Sequence, residues 1–205
     1  MSANRDTPVT MQVLRSEQHR RMPWRNGGGV TYEVASSPAG TELGDFDWRI
    51  SIAEVEAGGP FSAFPDIDRT IILIEGEWMA LTVDGRRHRF GIRDPFSFDG
   101  GSETLCEVPS RSRDLNVMTR RGRATASVAV VEADSSDGGA DAVAVAVAGA
   151  ETVFVCLTPS VVLAAADGTE VELDALDAAL TTDAGRLTVR GDGAAAVIQL
   201  RPARL

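Results

Sequence analysis

Three stretches of this 205-residue chain gather side chains that could do chemistry. The first is Trp24-Arg25-Asn26-Gly27-Gly28-Gly29-Val30-Thr31-Tyr32-Glu33. Successive glycines let a backbone approach a ligand and offer unshielded N–H groups to an anion. On the strand that follows, alternation sends Thr31 and Glu33 to one face and Val30, Tyr32 and Val34 to the other. A flexible turn is the plain alternative, and no Gly-Lys-Ser/Thr follows, so this is not a P-loop. The second stretch runs from Gly58 to Arg69: Phe61, Ser62 and Phe64 form an aromatic rim with one hydroxyl, and Arg69 brings a cation ahead of an apolar run. Pairing of Arg69 with Asp66 or Asp68 at the surface is the competing reading, and such a contact is worth little. The third is Arg113-Asp114-Leu115-Asn116-Val117-Met118-Thr119-Arg120, with Asp114, Asn116, Met118 and Arg120 on one face of a strand. Asn116 supplies a donor and an acceptor, which suits an amide or formyl group. Arg49 and Arg120 add planar forks able to grip carboxylates.

Other chemistries find less support. His19 and His88 are far apart, with no second His at ligand spacing, and no Ser/His/Asp grouping is readable. Glu33 is a candidate general base, although holding the Gly-rich turn or an Arg is the more economical role for it. Cys106 and Cys156 lack metal-ligand spacing and sit in apolar contexts, as reduced core residues do.

The elements that must position these groups read as strands. Ile71-Ile72-Leu73-Ile74 is a β-branched run of the kind buried on both faces. Glu75-Gly76 breaks it, Trp78 to Val83 alternates, and Asp84-Gly85 is a hairpin signal. Trp48, Ile50 and Ile52 alternate with Arg49, Ser51 and Ala53. This strand–turn series builds small antiparallel barrels, and residues 58–85 resemble the first motif of the cupin barrel. Where cupins carry His-x-His and a Glu, this chain has Ser62, Phe64, Asp66, Asp68 and Arg69, so no imidazole is there for a transition metal. An offset of 83 carries Asp84-Gly85 to Asp167-Gly168, Asp94 to Asp177, and Leu115 and Val117 to Ile198 and Leu200. A duplicated scaffold with one altered copy gives such an echo. The fold expected is all-β, two small antiparallel cupin-like barrels of jelly-roll type in one chain. Residues 1–131 form the first barrel with the pocket, 132–142 an acidic linker, and 143–205 a degenerate second barrel, with exchange of strands between the two left open.

The formal net charge of −10 argues against general nucleic-acid binding and adhesion to anionic membranes. The 16 Arg and 18 acids of residues 1–131, against 4 and 12 in residues 132–205, concentrate the basic groups in the first part. No apolar leader or membrane-length run is present, so a cytoplasmic location is the expectation.

The stretches MPWRNGGGVTYEV, DFDWRISIAEV, GPFSAFPDIDRTIILIEG and RDLNVMTRRG, taken in order, resemble the HutD/Ves family. Arg25 stands where Lys is common there, and Asp66 where Gly is common. The resemblance implies a bicupin without a metal or other cofactor, acting as a cytoplasmic modulator of histidine utilisation. It implies a small carboxylate ligand such as N-formylglutamate or urocanate. The ligand-binding residues it suggests are Trp24, Asn26, Thr31, Glu33, Arg49, Ser62, Phe64, Arg69, Asn116 and Arg120. Two other functions stay open: a metal-free hydrolase or isomerase using Glu33 as base, and a scaffold with a vestigial pocket. Pairing of two copies through barrel edges stays open as well.

Overall fold

The computed structural model describes residues 9–24, 27–41, 45–133 and 141–203. Regular structure there is almost wholly antiparallel β, apart from one 3-10 turn at Ser16–Gln18. The chain divides into two compact units, one of residues 19–126 with 202–205, the other of residues 1–18 with 127–201.

In the first unit a six-stranded sheet runs in the order β2 (Arg20–Pro23), β3 (Gly29–Ser37), β4 (Trp48–Val55), β11 (Ser112–Arg120), β6 (Ile67–Glu75), β9 (Pro95–Asp99). A four-stranded sheet runs β5 (Gly59–Pro60), β10 (Thr104–Glu107), β7 (Met79–Val83), β8 (Arg86–Phe90). Ile71 and Leu73 of β6 pack with Met79, Leu81, Phe90 and Cys106 from the second sheet to make the core between them. The Ile71–Ile74 run is buried on both faces, as its composition requires. The β7–β8 hairpin turns at Asp84 and Gly85, both at positive φ (47° and 78°), the conformation a two-residue turn demands.

The second unit has a five-stranded sheet, β1 (Gln12–Leu14), β17 (Ala178–Thr181), β14 (Glu151–Cys156), β19 (Gly193–Pro202), β12 (Ala124–Ala133). Its other sheet is β13 (Ala142–Ala146), β18 (Gly185–Arg190), β15 (Ser160–Ala165), β16 (Glu170–Asp174). Small residues and Phe154, Leu163, Leu173 and Leu187 fill the space between. Strand order repeats between the units: β11-β6-β9 in one matches β19-β14-β17 in the other, and β10-β7-β8 matches β18-β15-β16. The 83-residue offset is therefore a repeat of topology.

The expected closed barrels are not seen in the hydrogen bonding. Among the described residues none of the four sheets closes on itself. Of the expected linker, residues 134–140 lie outside the described residues. Cys106 and Cys156 are free and buried.

Candidate functional site

Strand register on the six-stranded sheet builds the site. Cross-strand partners on a sheet face form rows, because alternate residues share a face. One row reads Arg49, Met118, Arg69, Phe98 across β4, β11, β6 and β9. The next reads Glu33, Ser51, Asn116, Ile71, Phe96 from β3 onward. A third reads Met22, Thr31, Ala53, Asp114, Leu73 from β2 onward. Above the first two rows lies a cavity of about 600 Å³. The segment Pro60 to Phe64 supplies its far wall, with Met22, Pro23 and Trp24 at one side.

Arg69 is the centre of this cavity. It is 6% exposed, and its guanidinium carbon lies 5.2, 5.5 and 5.0 Å from the ring centres of Phe61, Phe64 and Phe98. Burial pulls the group down to about 10; Asp114 opposes this and Arg49 adds to it. It is cationic at neutral pH, yet its buried Nε finds no acceptor among the described residues. Neither Asp66 nor Asp68 pairs with it; Asp68 is held by Arg121 at 2.8 Å. Cation–π contacts contribute roughly 0.5–2 kcal/mol each, against several kcal/mol for desolvating an ion. Three rings offset a good part of that cost by their faces, but they leave the Nε–H without an acceptor and the guanidinium without a contacting carboxylate among the described residues.

Arg49, by contrast, is committed. Its Nε donates to Glu33 Oε2 at 2.7 Å, and Arg20 reaches the same oxygen at 3.5 Å. Glu33 thus positions an arginine through Oε2, and it is not among the residues that line the cavity. Asn116 is 8% exposed with a buried Oδ1 that receives no donor among the described residues. Trp24 Nε1 donates to Thr31 Oγ at 2.8 Å, which fixes the indole at the cavity wall. Gly29 makes room for that indole: a Cβ there would stand 3.1 Å from the Trp24 ring and would run into the Glu54 carbonyl oxygen. The glycine run therefore admits the chain's own tryptophan at this position.

Of the residues named from sequence, Trp24, Thr31, Arg49, Ser62, Phe64, Arg69 and Asn116 line the cavity. Glu33 stands behind Arg49. Arg120 goes elsewhere: its Nε donates to the Phe46 carbonyl at 3.1 Å. Asn26 lies outside the described residues. Sequence reasoning left out Met22, Pro23, Ser51, Pro60 and Met118 as site residues, and named Phe61 only as rim. Ser51 and Met118 were recoverable, since each shares a strand face with a residue already singled out. Nothing local marked Met22, Pro23 or Pro60.

Among the described residues no group of three or more His, Cys, Asp or Glu is placed to hold a metal ion. The cavity's own donor set, two guanidiniums with hydroxyls and an amide, repels a cation and attracts an anion. No helix among the described residues is long and apolar enough to cross a membrane.

The likeness to known proteins extends over this whole arrangement. A conserved protein of unknown function from Pseudomonas aeruginosa PAO1 has a TM-score of 0.83 and 28% identity, covering 94% of this chain and 99% of that one. HutD from Pseudomonas fluorescens SBW25 gives 0.78 and 28%, with the same coverage of 94% and 99%. A bacterial pirin from Escherichia coli in complex with nickel(II) gives 0.66 at 12% identity, covering 95% and 100%, a likeness of fold alone. A Protein Ves from Citrobacter koseri is 45% identical over 116 residues, 53% of this chain and 59% of that protein. An uncharacterised 21.2 kDa protein from Pseudomonas putida is 40% identical over 110 residues, 53% of this chain and 57% of that one. The chain thus spans less than two thirds of the length of these curated relatives. The HutD family profile matches residues 16–198, and with that span of agreement the chain belongs to the HutD family.

Proposed function

We propose that the first unit is a metal-independent receptor for a small carboxylate, in a chain of two cupin-like halves that modulates histidine utilisation. The observation that carries this is Arg69: a buried cation lining a 600 Å³ cavity, with no carboxylate in contact among the described residues. Asn116, with a free acceptor beside it, suits a ligand that also bears an N–H, as N-formylglutamate and urocanate do. Phe61, Phe64, Trp24 and Met118 favour a compact ligand that turns one carboxylate inward. The Pseudomonas putida relative is described as lying in the hutC 3′ region, which supports the histidine-utilisation context. Glu33, the candidate base, is paired to Arg49, and this favours binding over turnover.

A ligand that binds only the folded state raises the melting temperature, by about 2.7 kcal/mol of stability at 100 times Kd. Thermal shifts with N-formylglutamate, urocanate, glutamate and histidine test the reading. A clear rise with either of the first two is expected, lost in Arg69→Met. No shift with any of the four at millimolar concentration overturns it.

A further inference from the structure

Asp114 is the side chain of the cavity unit that packing does not explain. It precedes the lining Asn116 on the same face of β11, is 1% exposed, and receives no hydrogen bond at either carboxylate oxygen among the described residues. Buried carboxylates are ordinarily met by donors, because an isolated ion stripped of water is costly. Its row neighbours, Ala53 on β4 and Leu73 on β6, offer none.

The ionisable groups facing it are few. Arg69 comes from β6 and stabilises its charge through space. From β10 comes the Cys106 thiol, pushed up to about 12 by burial first and by Asp114 second. Further along the same sheet face, Arg49 of β4 and Glu33 of β3 neutralise each other at 2.7 Å. Arg69 and Asp114 therefore balance each other's charge across a gap. A carboxylate arriving at Arg69 would leave two anions around one buried cation, an arrangement a low-dielectric site does not sustain.

We infer that Asp114 is the proton-accepting counter-charge of the cavity: a carboxylate settling on Arg69 releases Asp114 from the cation, and Asp114 takes up one proton from solvent. This rests on the carboxylate reading of the cavity above. No bond to the ligand forms or breaks; one O–H forms on Asp114 and the interior stays neutral. The interior then accepts a single carboxylate group, and a second one on the same ligand must stay at the open mouth near the exposed Ser62. Burial pushes Asp114 up to about 7, so the coupling falls where small pH changes move it.

Calorimetric titration of the full chain with urocanate, and separately with N-formylglutamate, tests this at pH 8 in phosphate and in Tris. These buffers differ in ionisation enthalpy, so the difference in heat counts protons. Uptake near one proton per ligand is expected, with Kd weakening about tenfold per pH unit between pH 7.5 and 9. Asp114→Asn, nearly isosteric and unable to ionise, should bind with no uptake and a flat pH profile. Binding without uptake in the wild-type chain overturns the role of Asp114 and leaves the carboxylate pocket standing. Uptake that persists in the variant overturns it too. No binding of either probe at millimolar concentration and pH 6 overturns both. Should the variant not fold, the wild-type proton count decides alone.

Discussion

A guanidinium shut away from water, with no anion in contact among the described residues, is a cost the fold carries for a purpose. At Arg69 the rings of Phe61, Phe64 and Phe98 offset a good part of that cost. Replacing Arg69 with Met, of similar length and no charge, also removes the counter-charge of Asp114, so the comparison belongs below about pH 6, where Asp114 is protonated. There the variant should gain about 1–3 kcal/mol in urea denaturation. The same variant should show no thermal shift with urocanate or N-formylglutamate. A loss of stability in Arg69→Met would mean that the cation is already compensated. Asp114 gives a second test, by pH. Its folded titration is raised by burial from the ordinary carboxylate range to about 7. Between about pH 4 and 7 the unfolded chain loses this proton and the folded chain keeps it, so this group's contribution falls as pH rises and is level above 7. Asp114→Asn removes that dependence. The stability of the variant relative to wild type should rise between pH 4.5 and 8 by up to a few kcal/mol, at about 1.4 kcal/mol per pH unit of the shift. Equal pH profiles for the two would count against a buried, unpaired Asp114.

At the scale of elements, β11 sets the site because its neighbours β4 and β6 place arginines in one row with Met118. A slip of one residue in either pairing would turn Arg49 or Arg69 to the opposite face. The turn after β9 has a second hold on Arg69. A Cβ at Gly100 would stand 2.8 Å from the Ile67 carbonyl oxygen and 3.0 Å from Arg69 Cδ. Gly100→Ala should therefore cost about 1–3 kcal/mol through crowding and weaken carboxylate binding tenfold or more by displacing the guanidinium. Gly91→Ala, whose Cβ would meet only Asp94 Oδ2 at an ordinary 3.5 Å, is the control and should change neither. Melting curves and calorimetric Kd values separate the two effects.

At the scale of the molecule, the same strand order serves two ends. The first unit keeps polar groups at its rows and holds the cavity. The second fills its interior with alanine, valine, leucine and Phe154. In that unit the segment Thr10 to Gln18 is tied by Asp177, 2% exposed, which accepts from Ser16 N at 2.7 Å, Arg15 at 2.6 Å and Asp174 N at 3.2 Å. Burial pushes that carboxyl up, and these bonds outweigh it and leave it below its ordinary value. Asp177→Ala should cost about 1–3 kcal/mol. It should speed hydrogen exchange at β1 and β17 and leave urocanate affinity unchanged. A fall in affinity would show that the two units are coupled.

Alternation, β-branched runs and Asp-Gly turns made the all-β class, the hairpins and the internal offset legible from the chain alone, because each depends on neighbours within a few residues. The motifs carrying Arg49, Arg69 and Asn116 were legible for the same reason. Which arginine stays free of a contacting carboxylate was not: Arg49 and Arg69 look alike in sequence, and only the pairing of β3 with β4 brings Glu33 to Arg49 and not to Arg69. Nor does any local pattern separate Arg120, whose fork is spent on the Phe46 carbonyl, or mark Asp114 as waterless, since burial is summed over strands distant in sequence. Residue types and spacing determined what chemistry this protein carries; tertiary contact decided which of those charges has a partner in contact, because pairing is a matter of distance in space.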